Sequence, residues 1–197
     1  MAALAVARSR GRQGYLLTLT VPHGLGDDLK ALLEQIHKAY SKTSSGRAGQ
    51  NIRKLLGLRG TVRALETTYG VNGFHPHLHI LLFLDGGFSP ASVQNAFAPL
   101  WQQACMRAGL PRPSDEHGCR VDDGTYAAAY ASKWGLESEL TKSHTKKGRN
   151  GSRTPWDFLR AVLDKSEGWQ QAAILFRTYA AAFKGKRQLY WSNGLRD

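Results

Sequence analysis

Apolar residues alternate singly in some stretches of this chain and recur every three or four positions in others, and that contrast lays out its elements. Tyr15-Leu-Leu-Thr-Leu-Thr-Val21 is rich in leucine and β-branched residues and reads as a strand ended by Pro22. Asp27 and Asp28 then open a helix with Leu29, Leu32, Leu33 and Ile36 at helical spacing. Ser41 to Gln50 mixes Ser and Gly with Lys42 and Arg47, which predicts a mobile basic loop. Thr61 to Tyr69 and His77 to Leu84 read as two strands. Gly70-Val-Asn-Gly73 suits a tight hairpin between them, since Gly and Asn tolerate positive φ.

Ser89 and Pro90 supply the cap and first turn of a second helix, which carries Val93, Phe97, Leu100, Trp101 and Ala104 and ends near Gly109. Cys119 to Val121 is a short strand, followed by a third helix from about Gly124 to Trp134 capped by Asp122 or Asp123. The order strand, helix, strand, strand, helix, strand predicts an α+β fold, with helices flanking a mostly antiparallel sheet. Beyond Gly135 the pattern becomes basic and then helical. Lys142 to Arg153 holds five Lys and Arg among Gly, Ser and Asn, and reads as a solvated loop. Thr154-Pro155 starts a helix, and a longer one runs from about Gly168 to Phe183 with Ile174, Leu175, Phe176 and Tyr179 inside. We read residues 1–197 as one domain, with a core of about 14–135 and a helical C-terminal extension of about 136–197.

Composition sharpens this picture in two ways. Lys and Arg total 27 against 15 Asp and Glu, a formal net charge of +12, which favours a polyanionic partner through counterion release. No segment is apolar enough to cross a membrane, and a cytoplasmic location is expected. Cys105 and Cys119 form no CxxC pair and read as unpaired thiols in a reducing compartment.

The most specific chemistry lies in Gly73-Phe-His-Pro-His-Leu-His-Ile80. Alternation at period two sets His75, His77 and His79 on one strand face, and imidazoles two apart can serve one metal. If residues 70–73 form the turn, Tyr69 opposes Phe74 and Glu66 falls opposite His77, on the same face. A one-residue slip would turn Glu66 away. Glu66, His77 and His79 make a three-ligand set that leaves positions open for substrate; the same set suits a zinc hydrolase. His75 precedes Pro76 and ranks as a neighbour or an alternative ligand. Tyr126, Tyr130 and Lys133 share one face of the expected third helix at spacings of four and three, with small residues between them. A phenol attacks poorly at neutral pH unless a metal-polarised phosphate or an ammonium assists it.

Together these stretches resemble the rolling-circle plasmid replication initiators of the HUH superfamily, the protein Rep group. Leu17-Thr-Leu-Thr-Val-Pro22 is similar to that family's first motif. Arg63-Ala-Leu-Glu-Thr-Thr-Tyr69 with His75-Pro-His-Leu-His-Ile-Leu-Leu82 is similar to its metal motif, and Tyr126 to Lys133 to its tyrosine motif. The resemblance implies a ferredoxin-like palm with the histidines central, and Mn²⁺ or Mg²⁺ held by Glu66, His77 and His79. It implies nicking of single-stranded origin DNA by Tyr130, through a 5′-phosphotyrosine, with Tyr126 making a second attack and Lys133 stabilising charge. Lys142, Lys146, Lys147, Arg149, Arg153, Lys184, Lys186 and Arg187 would track the DNA backbone, with Tyr190 and Trp191 as stacking platforms. The partners implied are host helicase and polymerase, with no membrane and no small-molecule cofactor. The chain departs from many relatives in two places: it lacks their Cys-rich segment before the first strand, and Tyr126 stands where some have Glu. Paired tyrosines are similar to those of phage-type initiators and some transposases. An HUH transposase or conjugative relaxase, a metal-dependent hydrolase without a tyrosine nucleophile, and a non-catalytic single-strand binding protein stay open as alternatives.

Overall fold

A computed structural model describes Ser9, residues 11–125 and residues 151–193. Its elements are β1 (Gln13–Thr20), α1 (Leu29–Ser45), α2 (Arg47–Leu55), β2 (Leu58–Gly70), β3 (Gly73–Leu84), α3 (Pro90–Arg107), β4 (Cys119–Asp122), α4 (Pro155–Leu163), α5 (Trp169–Phe183) and β5 (Leu189–Trp191). The five strands form one sheet in the order β4-β1-β3-β2-β5, antiparallel at every pairing. The fold is α+β with helices flanking an antiparallel sheet, as the hydrophobic pattern predicts.

Strand alternation gives the sheet two unlike faces. Tyr15, Leu17 and Leu19 of β1 and Leu78, Ile80 and Leu82 of β3 form the main core with Leu32 and Ile36 of α1 and Val93, Phe97 and Trp101 of α3. Trp101 also donates its indole N–H to the Thr20 carbonyl at 2.9 Å, tying α3 to the end of β1. A second core joins α4 and α5 to α1 and β3 through Phe158, Ala172, Phe183, Leu29, Leu33 and Phe74. The C-terminal helices therefore pack on the helix-covered side, and β5 widens the sheet beyond β2.

The helix starts follow their caps. Asp28 accepts the Ala31 N–H at 2.7 Å, and Ser89 accepts the Ser92 N–H at 3.1 Å with Pro90 in the first turn. Thr154 and Asp157 form a reciprocal capping box ahead of α4. Asp123 accepts the Thr125 N–H at 2.9 Å where the next helix begins; the expected course of that helix beyond Thr125 lies outside the described residues.

The structure corrects the loop expected over residues 41–50. α1 continues to Ser45, and α2 starts after a single extended residue, Gly46. Thr43 is buried and donates to the Ala39 carbonyl at 3.0 Å, while Ser45 donates to Ser41 O at 2.6 Å, so these hydroxyls are satisfied inside the helix. A Cβ on Gly49 would sit 2.0 Å from the Thr43 carbonyl oxygen, so only glycine lets α2 cross this close. β2 and β3 are also longer than expected, and Ile174 on α5 is exposed and not inside.

Candidate metal centre

The β2–β3 hairpin places the donors. Its register pairs Gly70 with Gly73, Tyr69 with Phe74, Glu66 with His77 and Ala64 with His79. The positive φ of the turn falls on Gly73, at +86°, and not on Asn72. That glycine is doubly constrained, because a Cβ there would meet the Gly24 carbonyl at 3.0 Å.

Pro76 sits inside a central strand, where a missing N–H would ordinarily break a ladder. Leu65 donates its N–H to Gln188 O at 2.8 Å, on the side of β2 away from β3. By alternation Glu66 and Thr68 pair with His77 and His75, and the nitrogen of Pro76 is turned towards β1. The β1 ladder ends at Thr20–His77, one residue earlier, so the proline costs no strand bond.

Glu66, His77 and His79 each offer a donor atom, and these atoms lie within 4.8 Å of one another. Both imidazoles are oriented through their other nitrogen. His77 Nδ1 lies 3.1 Å from the His75 carbonyl and so carries its proton there, leaving Nε2 toward Glu66, 3.8 Å from Oε2. His79 Nδ1 lies 3.0 Å from Thr18 Oγ1. With Nδ1 held by oxygen, Nε2 is the natural metal donor of each ring, the arrangement that fixes tautomer and ring plane in metal sites. The donor set fits a divalent cation. Exposure grades across it, with His79 buried, the His77 side chain 14% exposed and the Glu66 side chain 32% exposed, so the open side of the triangle lies toward Glu66.

His75 is set apart from the triad. Its ring stacks on His23 with centroids 4.5 Å apart and planes 14° from parallel, and it meets His77 edge-on at 5.3 Å. Burial, with the neighbouring His77 and His23, lowers its pKa to about 4, so the ring stays neutral. Its carbonyl is its contribution to the centre. Thr18 is the residue that the sequence reading of the site omitted. The signal was present, because Thr18 alternates with Leu17 and Leu19 and so falls on the polar face of β1.

The basic residues separate by place. Arg153 exchanges backbone hydrogen bonds with Tyr69, at 2.8 and 2.7 Å, and its guanidinium lies 4.8 Å over the Phe158 ring, so it anchors the chain to the end of β2. Lys184, Lys186 and Arg187 lie between α5 and β5, the Arg187 guanidinium being 5.5 Å from the Tyr190 ring. By pairing, Tyr190 shares the helix-covered face with Arg63, and Trp191 the opposite face with Val62. Tyr126, Tyr130, Lys133, Lys142, Lys146, Lys147 and Arg149 lie outside the described residues.

Comparison with known proteins adds the family. A family model described as "Replication protein" matches residues 2–197, almost the whole sequence. The chain belongs to that family. Among its relatives, a Protein rep of Streptomyces lividans is 26% identical over 255 aligned residues, covering 95% of this chain and 56% of its own length. A Protein rep of Lentilactobacillus hilgardii is 33% identical over 102 residues, covering 49% of this chain and 31% of its own. This member thus spans about half the length of the first relative and a third of the second. No solved structure matches it.

Proposed function

We propose that this replication protein is a plasmid rolling-circle initiator that nicks single-stranded origin DNA in the cytoplasm and keeps one end covalently. The observation that carries the reading is the Glu66–His77–His79 triangle, with both histidines fixed through Nδ1 and its open side next to the carboxylate. Mn²⁺ or Mg²⁺ bound there would supply Lewis-acid polarisation of the scissile phosphate.

The remaining chemistry is assigned to the tyrosine motif. The Tyr130 phenolic oxygen forms a bond to phosphorus as the bond from phosphorus to the 3′-oxygen breaks. The phenol proton is lost and the leaving oxygen gains one, giving a 5′-phosphotyrosine and a free 3′-OH that a host polymerase extends behind a host helicase. Lys133 offsets charge on the phosphate or phenolate, and Tyr126 makes the second attack in strand transfer. Lys142, Lys146, Lys147, Arg149, Arg153, Lys184, Lys186 and Arg187 neutralise backbone phosphates; the net charge of +12 supports this. No small-molecule cofactor is involved, and residues 1–197 act as one domain.

The test is a denaturing gel of protein with a 3′-labelled oligonucleotide from its own replicon. A shifted protein band is expected with Mn²⁺, none with EDTA and none for Tyr130→Phe. Tyr126→Phe should form the band and lose strand transfer. A band from the doubly substituted protein would place the nucleophile elsewhere and overturn the assignment.

A further inference from the structure

Among the described residues, the outer edge of β2 is covered at two places and open between them. β5 pairs with residues 62–64, and the Gln188 carbonyl takes the Leu65 N–H at 2.8 Å. Four residues on, Arg153 closes both backbone bonds with Tyr69. Alternation turns the N–H and C=O of Thr67 to this same side, and no segment among the described residues pairs with it. Thr67 is buried, so its peptide edge has little bulk water to replace a partner. The notch over it has a volume of about 150 Å³ and is lined by Glu66, Thr154, Trp156, Tyr179 and Gln188, among others. Trp156 is 37% exposed, and Gln188 Nε2 donates to the Tyr179 hydroxyl at 2.7 Å.

We propose that this notch is a nucleobase subsite, holding the base of a nucleotide next to the scissile phosphate. The inference rests on the reading of the protein as a binder of single-stranded DNA. Four observations carry it. The open edge offers one donor and one acceptor side by side, which matches the donor–acceptor edge of a base. It is one residue long and closed at both ends, so a further strand does not fit but a planar ring does. Trp156 lines the notch while partly exposed, and an indole is a surface on which bases stack. Finally, the described basic residues flank the notch: Arg153 pairs with Tyr69 on one side, and Lys184–Arg187 precedes the Gln188 contact at Leu65 on the other. Because Glu66 belongs to the notch and to the metal triangle alike, a base seated here lies beside the chemistry.

A fully randomised single-stranded DNA pool, selected on the full chain in EDTA, supplies a probe; abasic scanning of the selected strand by fluorescence anisotropy then tests the notch. One abasic position should weaken wild-type binding about tenfold or more, the loss of one stacked base. Trp156→Ala should bind the intact strand weaker by a similar factor and show no further loss at that position, while Trp156→Phe should restore most of both. Matching abasic profiles for wild type, Trp156→Ala and Trp156→Phe would overturn the subsite. Adduct formation on the same strand with Mn²⁺ reads the nicking proposal separately. Position-specific coupling to Trp156 without any adduct would support the notch and remove the nuclease.

Discussion

On one face of the central sheet Leu17, Leu19, Leu78, Ile80 and Leu82 pack beneath helices, none more than 2% exposed. On the other, their immediate neighbours Thr18, His77 and His79 stand with Glu66 around an open triangle. The two faces are made by alternate residues of the same strands, so they are one decision made once. The metal face is itself apolar beyond the histidines, where Leu16, Val62, Leu81 and Phe83 are buried, but a slip of one residue would turn the histidines under the helices and take Glu66 off their face. Fully burying each such apolar side chain is worth about 1.5–3 kcal/mol, and that energy holds the register in which Glu66 meets His77. The site spends little stability of its own because the opposite face supplies its rigidity.

Neighbouring substitutions break the comparison most directly. His77→Ala should abolish nicking while leaving the urea midpoint close to wild type. Leu78→Ala, one residue on, should cost about 2–5 kcal/mol of unfolding free energy and retain nicking per folded molecule. Denaturation curves and adduct gels on the same preparations decide it. Equal destabilisation by both would mean that the metal face is part of the core.

The contrast between faces also explains what could be read from sequence. Alternation over Tyr15–Val21 and His75–Leu84 is a direct image of the pleat, so strand identity, register and the Glu66–His77 pairing were all legible. The α1–α2 junction was not. Ser44, Ser45 and Gly46 have loop composition, but whether the Thr43 and Ser45 hydroxyls bond within a helix depends on the Ala39 and Ser41 carbonyls already being helical. Gly49 was read as flexibility, where its role is a close crossing against Thr43. β5 escaped notice because Leu189–Trp191 is too short for a period and becomes a strand only against Val62–Ala64. Thr18 was on the correct face by alternation, yet nothing local announces a hydroxyl that orients a histidine from 61 residues away.

That hydroxyl gives the next largest effect. Thr18→Val keeps the shape and removes the partner of His79 Nδ1, so Mn²⁺ affinity by calorimetry should fall about 10–100-fold, with the fold intact and Thr18→Ser restoring it. An unchanged affinity would mean that His79 needs no orienting group. Smaller again is Gly73→Ala. It forces a side chain into a left-handed conformation, at about 1–2 kcal/mol, and against the backbone of Gly24 and Leu25. Its melting temperature should drop, and Mn²⁺ binding should weaken only if the turn shifts the register.

The smallest expected effect is an absence of reaction on the dry face. Cys105 of α3 and Cys119 of β4 are both free and buried in the helix-side core. Burial with no compensating charge pushes each thiol up to about 12. The attacking species is the thiolate, and near pH 8 it would be on the order of one part in ten thousand, before access is considered. A disulfide reagent should therefore label neither cysteine in the native protein, and both at the rate of a free thiol once urea unfolds it. The metal face behaves oppositely, since its donors must be reachable from solvent to be of use. Native labelling of Cys105 at the free-thiol rate would show that α3 lifts from the sheet. The face that holds the register would then be less fixed than the site it supports, and the division of labour between the two faces would have to be redrawn.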